Sequence, residues 1–477
     1  MTIEASRDAT EIRAADLVVV MVSEGEGAGS GSTRRAFAAA GMTGKVGEAH
    51  LVASPDGPAE LLVGVGRREE LDPGIVRRTL AGAAPSLRGY ATVGIPSFGD
   101  RADDPSLTAA AEGVLLGAHR FERFRTETDG RHLGRVLLEV PSGLDVDAAD
   151  DAVRVGIVSA EAGIEARDLV NTPANHCTPE HLAIHAESLA EISDLEVVVW
   201  REDELARERC GGILGVGRGS ANPPRLILLT YRGGGDEPPL ALAGKGITYD
   251  AGGMSLKLGD DLEYMKFDMA GGAAVMAAIH AIARLELPVN VVGAIASADN
   301  VSGPTAIKPG DVLTLRSGRT CEIVNTDYEG RVVLADALDV LHGRSPSAIV
   351  VAATLWGGGE TLGGQISPLL GNDDGLIREI QRAAEEAGEP AWRLPLWPGY
   401  RRELDSQVAD LKNKPSDKGA VITAAMFLGE FTGEVPWAYL DIGDTGWASE
   451  RWDLGEAGAT GGPARTLLRL ARSRTPG

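Results

Sequence analysis

The stretch Ala243-Gly244-Lys245-Gly246-Ile247-Thr248-Tyr249-Asp250-Ala251-Gly252-Gly253 ends the apolar run Leu240–Ala243 on a glycine-rich turn that carries one lysine and one aspartate. An apolar run that stops this way reads as a buried strand opening into a hollow. Lys245 and Asp250 are five residues apart, so a straight strand would send them to opposite faces. A turn rich in glycine has the backbone freedom to bring both into one cavity.

Further strands are expected around this one at Arg225–Thr230, Val289–Ala296, Ala348–Thr354 and Ala438–Ile442, with helical stretches between them. That alternation predicts an α/β domain with a mixed central sheet covered by helices. Upstream, the apolar runs Leu17–Val22, Leu61–Val65 and Val136–Val140 alternate with helical stretches such as Ala109–Phe124, which predicts a smaller N-terminal α/β domain. Val153, Ile157 and Ala160 recur at helical spacing, and Asn171-Thr172-Pro173 ends that helix in a turn. The expected organisation is residues 1–150 as the first domain, 151–171 as a linker helix and 172–477 as the catalytic domain. Glu24–Ser32 reads as a Gly/Ser surface loop.

Composition excludes several classes of function. The 477 residues hold 46 Lys+Arg against 69 Asp+Glu, a net charge of −23, which argues against a nucleic-acid binder because phosphate contacts need a basic footprint. The longest basic-aromatic stretch, Arg120–Arg125, is expected on an ordinary amphipathic helix. At 43% hydrophobic residues the chain is not a disordered one, and it has no run of about 18 apolar residues, so no membrane span is expected. Cys177, Cys210 and Cys321 lie far apart without metal or disulfide spacing, and the first residues lack a signal core. Both features fit a cytoplasmic location. The short motif Gly215–Ser220 is no dinucleotide fingerprint, because its third glycine is misplaced and it precedes a strand. His181 and His185 read as surface helix residues and His280 as a packed or capping one.

Two more stretches join the first. Asp268 stands just before an Ala-rich helix reaching about Leu285, where an N-cap role competes with a ligand role. Asn325, Asp327 and Glu329 would point the same way in an extended segment, followed by a helix over Val332–Leu341. Two carboxylates so close repel unless a cation lies between them. Lys245, Asp250, Asp268, Asp327 and Glu329 together offer four carboxylates and one amine, a donor set for hard or borderline dications. Two such ions polarise a carbonyl and activate water, and lysine joins them only as a neutral amine.

These segments resemble the leucyl (cytosol) aminopeptidase family of metallopeptidases. The family's NTDAEGR signature appears as Asn325–Arg331 with one change, and its GKGITFDSGG appears as Gly244–Gly253. Asn171–Pro179, Lys308–Asp311 and Ala424–Leu428 extend the likeness over the second domain; Gly113–Arg125 carries a weaker one in the first, which the resemblance makes macro-like. The resemblance implies that Asp250 and Glu329 bridge two divalent ions, Zn²⁺ or Mn²⁺ with Mg²⁺ also compatible. Lys245 and Asp268 would complete the more exchange-resistant site and Asp327 the other. It implies that Lys257 stabilises the oxyanion and that Arg331 holds a bicarbonate ion as general base. Substrate contacts are expected from Met265, Asn325, Tyr328, Thr354, Leu355 and Gly357, with Gly443 and Gly446 walling the first-residue pocket. The implied substrate is a peptide with a free N-terminus and the implied assembly a homohexamer.

Two departures concern specificity. Tyr328 stands where the signature has Ala, and Trp356 where the family's TLTG has its second Thr. They would narrow the leaving-side pocket or form a stacking platform. The expected function is therefore a two-metal aminopeptidase acting on peptides or dipeptides, with a preference shaped by these aromatics. The alternatives are a specialised amide hydrolase of a biosynthetic pathway and a catalytically weak hexameric scaffold. Intact ligand positions together with Lys257 and Arg331 favour the enzyme.

Overall fold

The computed structural model describes residues 2–25, 37–53, 57–98, 104–141, 143–416 and 418–475, so residues 26–32 of the Gly/Ser loop lie outside the described residues. The chain forms two units, Met1–Ile164 with Ser449–Ala457, and Glu165–Ala448 with Gly458–Gly477. The helix expected at 151–171 runs Val146–Asn171, and the unit boundary falls inside it. The reason is burial: Val153 and Ala160 pack into the core of the first unit, with Ile157 against it. Leu454 is buried in the same core, which assigns 449–457 to the first unit rather than to an unbroken C-terminal domain.

The first unit is built on β1 (Thr2–Ser6), β2 (Leu17–Ser23), β3 (Ala49–Val52), β4 (Ala59–Gly66), β5 (Thr92–Ile95) and β6 (Arg135–Glu139), in the order β1-β6-β5-β2-β4-β3. All pairs are parallel except β3-β4. The expected apolar runs fall on β2, β4 and β6, as near-continuous hydrophobic strands of a covered parallel sheet should. The helix expected over Ala109–Phe124 is Asp104–Ala118. It stops because its apolar stripe stops: Leu115 and Leu116 are buried, whereas the residues from Phe121 to Gly130 are half-buried or exposed. Arg120–Arg125 therefore lies in a turn, not on a helix.

The second unit contains β7 (Glu196–Trp200), β8 (Arg225–Arg232), β9 (Leu240–Asp250), β10 (Asn290–Asn300), β11 (Val312–Thr314), β12 (Thr320–Glu322), β13 (Ala348–Ala353), β14 (Ser367–Gly371), β15 (Ala391–Arg393), β16 (Leu411–Lys412) and β17 (Trp437–Asp441). A mixed sheet runs β15-β14-β17-β13-β9-β10-β8-β7, and a small one β11-β12-β16. Within the large sheet β10, β9, β13 and β17 are mutually parallel. Their C-terminal ends share one edge, where ligands collect in open α/β sheets.

Side-chain alternation along β9 decides what covers it. Ala241 and Ala243 join an apolar cluster with Val332, Val333 and Leu334 of the helix Gly330–His342. Gly244 faces the opposite layer, where a Cβ would lie 2.6 Å from Gly272 Cα in the helix Ala270–Arg284. Gly271 of the same helix backs directly onto the Ala352 carbonyl of β13. Helix and sheet thus meet backbone to backbone, with no room for a methyl group.

Gly271→Ala is expected to destabilise the protein by at least about 1–3 kcal/mol, because neither backbone can yield. Gly82→Ala is the control: this exposed glycine of the helix Pro73–Leu87 has open space around its Cβ position and should gain stability. Thermal denaturation of the two variants checks the difference in sign.

Candidate metal centre

β9 solves the parity problem with a bulge. Ala298 of β10 pairs with Ile247, but Asp299 pairs with Tyr249, so Thr248 is an extra residue in β9. The buried Thr248 hydroxyl donates to Asp299. One inserted residue turns the odd separation of Lys245 and Asp250 into an even one, so both side chains reach the same side. Gly252 and Gly253 then take positive φ, 85° and 63°, and the Gly252 N–H donates to Asp250 Oδ1 at 2.9 Å. The glycine-rich turn was expected to do all of this; the bulge before it does the first part.

Asp268 lies in a 3-10 segment, Asp260–Met269, and makes no cap bond to the helix that follows. Its buried carboxylate accepts instead from the Thr354 hydroxyl at 2.6 Å and faces Lys245 Nζ at 2.6 Å. Lys245, 3% exposed, also faces Glu329 Oε1 at 2.8 Å and donates to the Thr354 carbonyl at 2.8 Å. Gly330 makes room for it, since a Cβ there would lie 2.5 Å from Lys245 Cε.

The segment 325–329 is a turn rather than the expected extended stretch. The Asn325 side chain accepts from the Asp327 N–H at 2.7 Å, the local turn that Asn favours, and Glu329 already has helical φ and ψ. Asp327 and Glu329 nevertheless converge with Asp250: one oxygen from each lies within 4.8 Å of the others. Two asparagines that the sequence reading passed over hold this arrangement. Asn300, at the end of β10, donates to Asp250 Oδ1 at 2.7 Å, to the Thr326 carbonyl at 2.9 Å and to Glu329 Oε2 at 3.2 Å. Asn413, just after β16, donates to the Asn325 carbonyl at 2.6 Å and accepts from the Val324 N–H at 2.9 Å.

Electrostatics suit the cluster to a cation. Burial and the neighbouring Glu329 charge push the Asp250 carboxyl up to about 7. Asp268 is raised well above the carboxylate range by burial, and Asp327 is raised by burial as well. Burial opposes a charge on Glu329 too, but Lys245 and Lys257 hold it low. Burial likewise opposes the Lys245 ammonium, and Asp268 and Glu329 overcome it. Asp268 Oδ2, Asp327 Oδ1 and Glu329 Oε1 are buried, and each has a lysine amine as its close partner, at 2.6, 2.6 and 2.8 Å. Buried, mutually repelling carboxylates within reach of one another fit divalent cations.

The remaining expected residues surround this core. Lys257 faces Asp327 Oδ1 at 2.6 Å and Asp250 Oδ2 at 3.0 Å. Arg331 is 1% exposed, keeps Nη1 without a hydrogen bond and lies 4.9 Å from the Tyr328 ring centre. Leu355 follows β13 against Gly330, and Gly443 sits against Gly357. Met265 is half-buried in the 3-10 segment that carries Asp268, and Gly446 is buried near Ala270 and Phe267. Asp441, also missed in the sequence, is fully buried and accepts the N–H groups of Trp356, Gly357 and Gly443 at 3.1, 3.0 and 3.0 Å. A lone Asp ending a strand carries no periodic signal that would have revealed this. The histidines contribute nothing to the centre. His185 and His280 both bond Glu165, at 2.9 and 2.7 Å, so His185 is more than a surface residue. Burial opposes the Glu165 charge, but these bonds hold its carboxyl at about 2.

Comparison with known proteins gives consistent matches. The family model described as "Cytosol aminopeptidase family, catalytic domain" matches residues 164–468, and "Cytosol aminopeptidase family, N-terminal domain" matches residues 24–128. A probable cytosol aminopeptidase of Roseiflexus castenholzii is 42% identical over 430 residues, 87% of each chain. One from Azotobacter vinelandii is 40% identical over 493 aligned residues, 97% of each chain. Among solved structures, the bottromycin maturation enzyme BotP in complex with Mn superposes with a TM-score of 0.89 at 35% identity, covering 96% of this chain and 99% of that one.

A pH dependence follows from the carboxylates. The folded-state pKa of Asp250, about 7, lies above its ordinary value. Without a cation, protonated Asp250 therefore favours the folded state at low pH, and that contribution is lost as pH rises through 7. A cation needs the ionised form, so its binding should weaken as pH falls through the same window. Mn²⁺ titration calorimetry at pH 6 and pH 8 should show tighter binding at pH 8 and proton release at pH 6. Equal affinity at both would mean that these carboxylates are not displaced from protons by the metal.

Proposed function

Because the chain belongs to the cytosol aminopeptidase family, we propose that Lys245, Asp250, Asp268, Asp327 and Glu329 hold two divalent cations that serve cleavage of the first residue from peptides. The chain is a metal-dependent aminopeptidase, a hydrolase of peptide bonds. The observation that carries the site assignment is the convergence of Asp250, Asp327 and Glu329 within 4.8 Å beside the buried Lys245–Asp268 pair.

Asp250 and Glu329 would help to hold both ions, since each lies beside a lysine and another carboxylate of the cluster. Lys245 and Asp268 flank one side, Asp327 and Lys257 the other. Bound cations supply Lewis acidity toward the scissile carbonyl and activate water near neutral pH. With cations held, Lys245 would serve as a neutral amine. Lys257 would donate toward the oxyanion of the substrate. Asp268 receives the free α-amine of the substrate. Arg331 stays protonated, and its Nη1, which has no hydrogen-bond partner, would hold a bicarbonate ion, which would supply a general base at that point. Met265, Gly443 and Gly446 would wall the first-residue pocket, and Asn325, Thr354, Leu355 and Gly357 would contact the substrate. Tyr328 would border the leaving-group pocket.

Zn²⁺ and Mn²⁺ suit the donor set, Mg²⁺ is compatible, and the Mn-bound BotP supports manganese. A homohexamer in the cytoplasm is the proposed working form, without nucleic-acid or membrane partners; no helix of the described residues is long and apolar enough to cross a membrane. BotP, as a bottromycin maturation enzyme, favours a second reading, a specialised amide hydrolase of a biosynthetic pathway. The Tyr328–Trp356 departure fits that reading as well. A catalytically weak scaffold is the least supported option, because the cluster is complete.

The test is turnover of a panel of free-amino peptides with Mn²⁺, Zn²⁺ or Mg²⁺. Asp327→Asn and Glu329→Gln are expected to lower kcat at least about 100-fold, the scale of losing a catalytic electrostatic group. Unchanged turnover in both variants would overturn the assignment.

A further inference from the structure

Asp268 is held from two directions. Thr354 donates to its carboxylate at 2.6 Å. Lys266 stands two residues earlier in the same 3-10 segment, Asp260–Met269. Its ammonium pairs with no carboxylate of the centre; Nζ donates instead to the backbone carbonyl of Asn171 at 2.8 Å. Asn171 is the last residue of the helix Val146–Asn171. The final carbonyls of a helix have no partner within it and carry the negative end of its dipole. An ammonium at that place supplies both the missing donor and the matching charge.

The latch closes on itself. Lys266 Nζ lies 5.5 Å from the Trp447 ring centre, and the Phe267 ring centre lies 6.3 Å from the same indole. The two residues before Asp268 therefore rest on one aromatic side chain, with the ammonium in cation–π range. Trp447 pairs with Ala459 in a short antiparallel ladder, and the Ala459 N–H donates to the Asn171 side chain at 3.1 Å. Gly458 allows that approach, since a Cβ there would lie 2.8 Å from Asn171 Oδ1. Helix end, ligand segment, indole and ladder thus each touch the next. Asp327 is held elsewhere, by Lys257 and by its own N–H on the Asn325 side chain.

We propose that Lys266 is a positioning residue for Asp268: its amine, fixed on the Asn171 carbonyl and covered by Trp447, sets where the ligand segment stands relative to Lys245. It therefore governs the affinity of the cation held on the Lys245–Asp268 side and not that of the cation on the Asp327 side. This inference rests on the two-cation reading of the centre.

The test is Mn²⁺ calorimetry at pH 8 on the full chain. Asp268→Asn identifies which of the two binding steps belongs to the Lys245–Asp268 side. Lys266→Met is expected to weaken that same step about tenfold, the scale of losing a group that orients a metal ligand. The other step should change less than about twofold. Lys266→Arg, which keeps a cationic donor, should restore most of the loss. Lys308→Gln, at an exposed lysine paired with Asp311, should move neither step. If Lys266→Met does not fold, Lys266→Gln, one bond shorter, takes its place with the same two readings. Weakening of both steps alike would mean a general loss of structure and would overturn the proposal, as would two unchanged steps; either result leaves the two-cation reading standing. A wild-type protein that takes up no Mn²⁺ would overturn that reading and the proposal with it.

Discussion

The second unit is organised around one buried amine. Lys245 comes from the middle of the central strand, where an ammonium far from water is costly unless it is paired. Its three neighbours, Asp268, Glu329 and the Thr354 carbonyl, come from separate segments of the chain. Each carboxylate is itself too close to other carboxylates to be stable as an isolated anion. The cluster therefore has two ways to balance its charges: protons and lysine ammonium groups, or cations. The convergence of Asp250, Asp327 and Glu329, with one oxygen from each within 4.8 Å of the others, fits the second. Exchange between these two modes is the physical basis for coupling metal binding to proton release.

The fold keeps this arrangement by removing side chains from its surroundings. Gly330 leaves the volume that the Lys245 stem fills, and Gly252 leaves the space beside Asp327 Oδ1, 2.9 Å from where a Cβ would be. Gly271 and Gly272 let the covering helix settle against β9 and β13. Packing so close permits little adjustment, which suits ligands that must be held in place before a cation arrives. Asn300, Asn413 and Asp441 then tie the strand ends and loops together. Asn413 and Asp441 do so through backbone groups, whereas Asn300 also holds the Asp250 and Glu329 carboxylates themselves.

Much of this was legible in the sequence. The strand order was not, but the glycine-bracketed Lys245 and Asp250, the acidic turn after β12 and Asp268 before an Ala-rich helix all announced buried charge. What escaped has a common cause. The bulge at Thr248 depends on how β9 pairs with β10, and pairing register is a long-range property. The turn at 325–329 was read as extended because alternate acidic residues mimic a strand, whereas the Asn325 side chain closes a local loop. Asn300, Asn413 and Asp441 act mainly on segments from 26 to 89 positions away, as single polar residues with no repeating pattern to expose them. The helix Val146–Asn171 was recognised, but which unit each of its turns packs into depends on burial by distant residues such as Leu454.

The most direct measurement is anomalous diffraction from crystals of the Mn²⁺-loaded protein. The expected map has two peaks roughly 3.5–4 Å apart, one in contact with Lys245 Nζ and Asp268, the other with Asp327, and both with Asp250 and Glu329. A map without paired peaks at this position, with Lys245 still ion-paired to Asp268 and Glu329, would contradict the central claim.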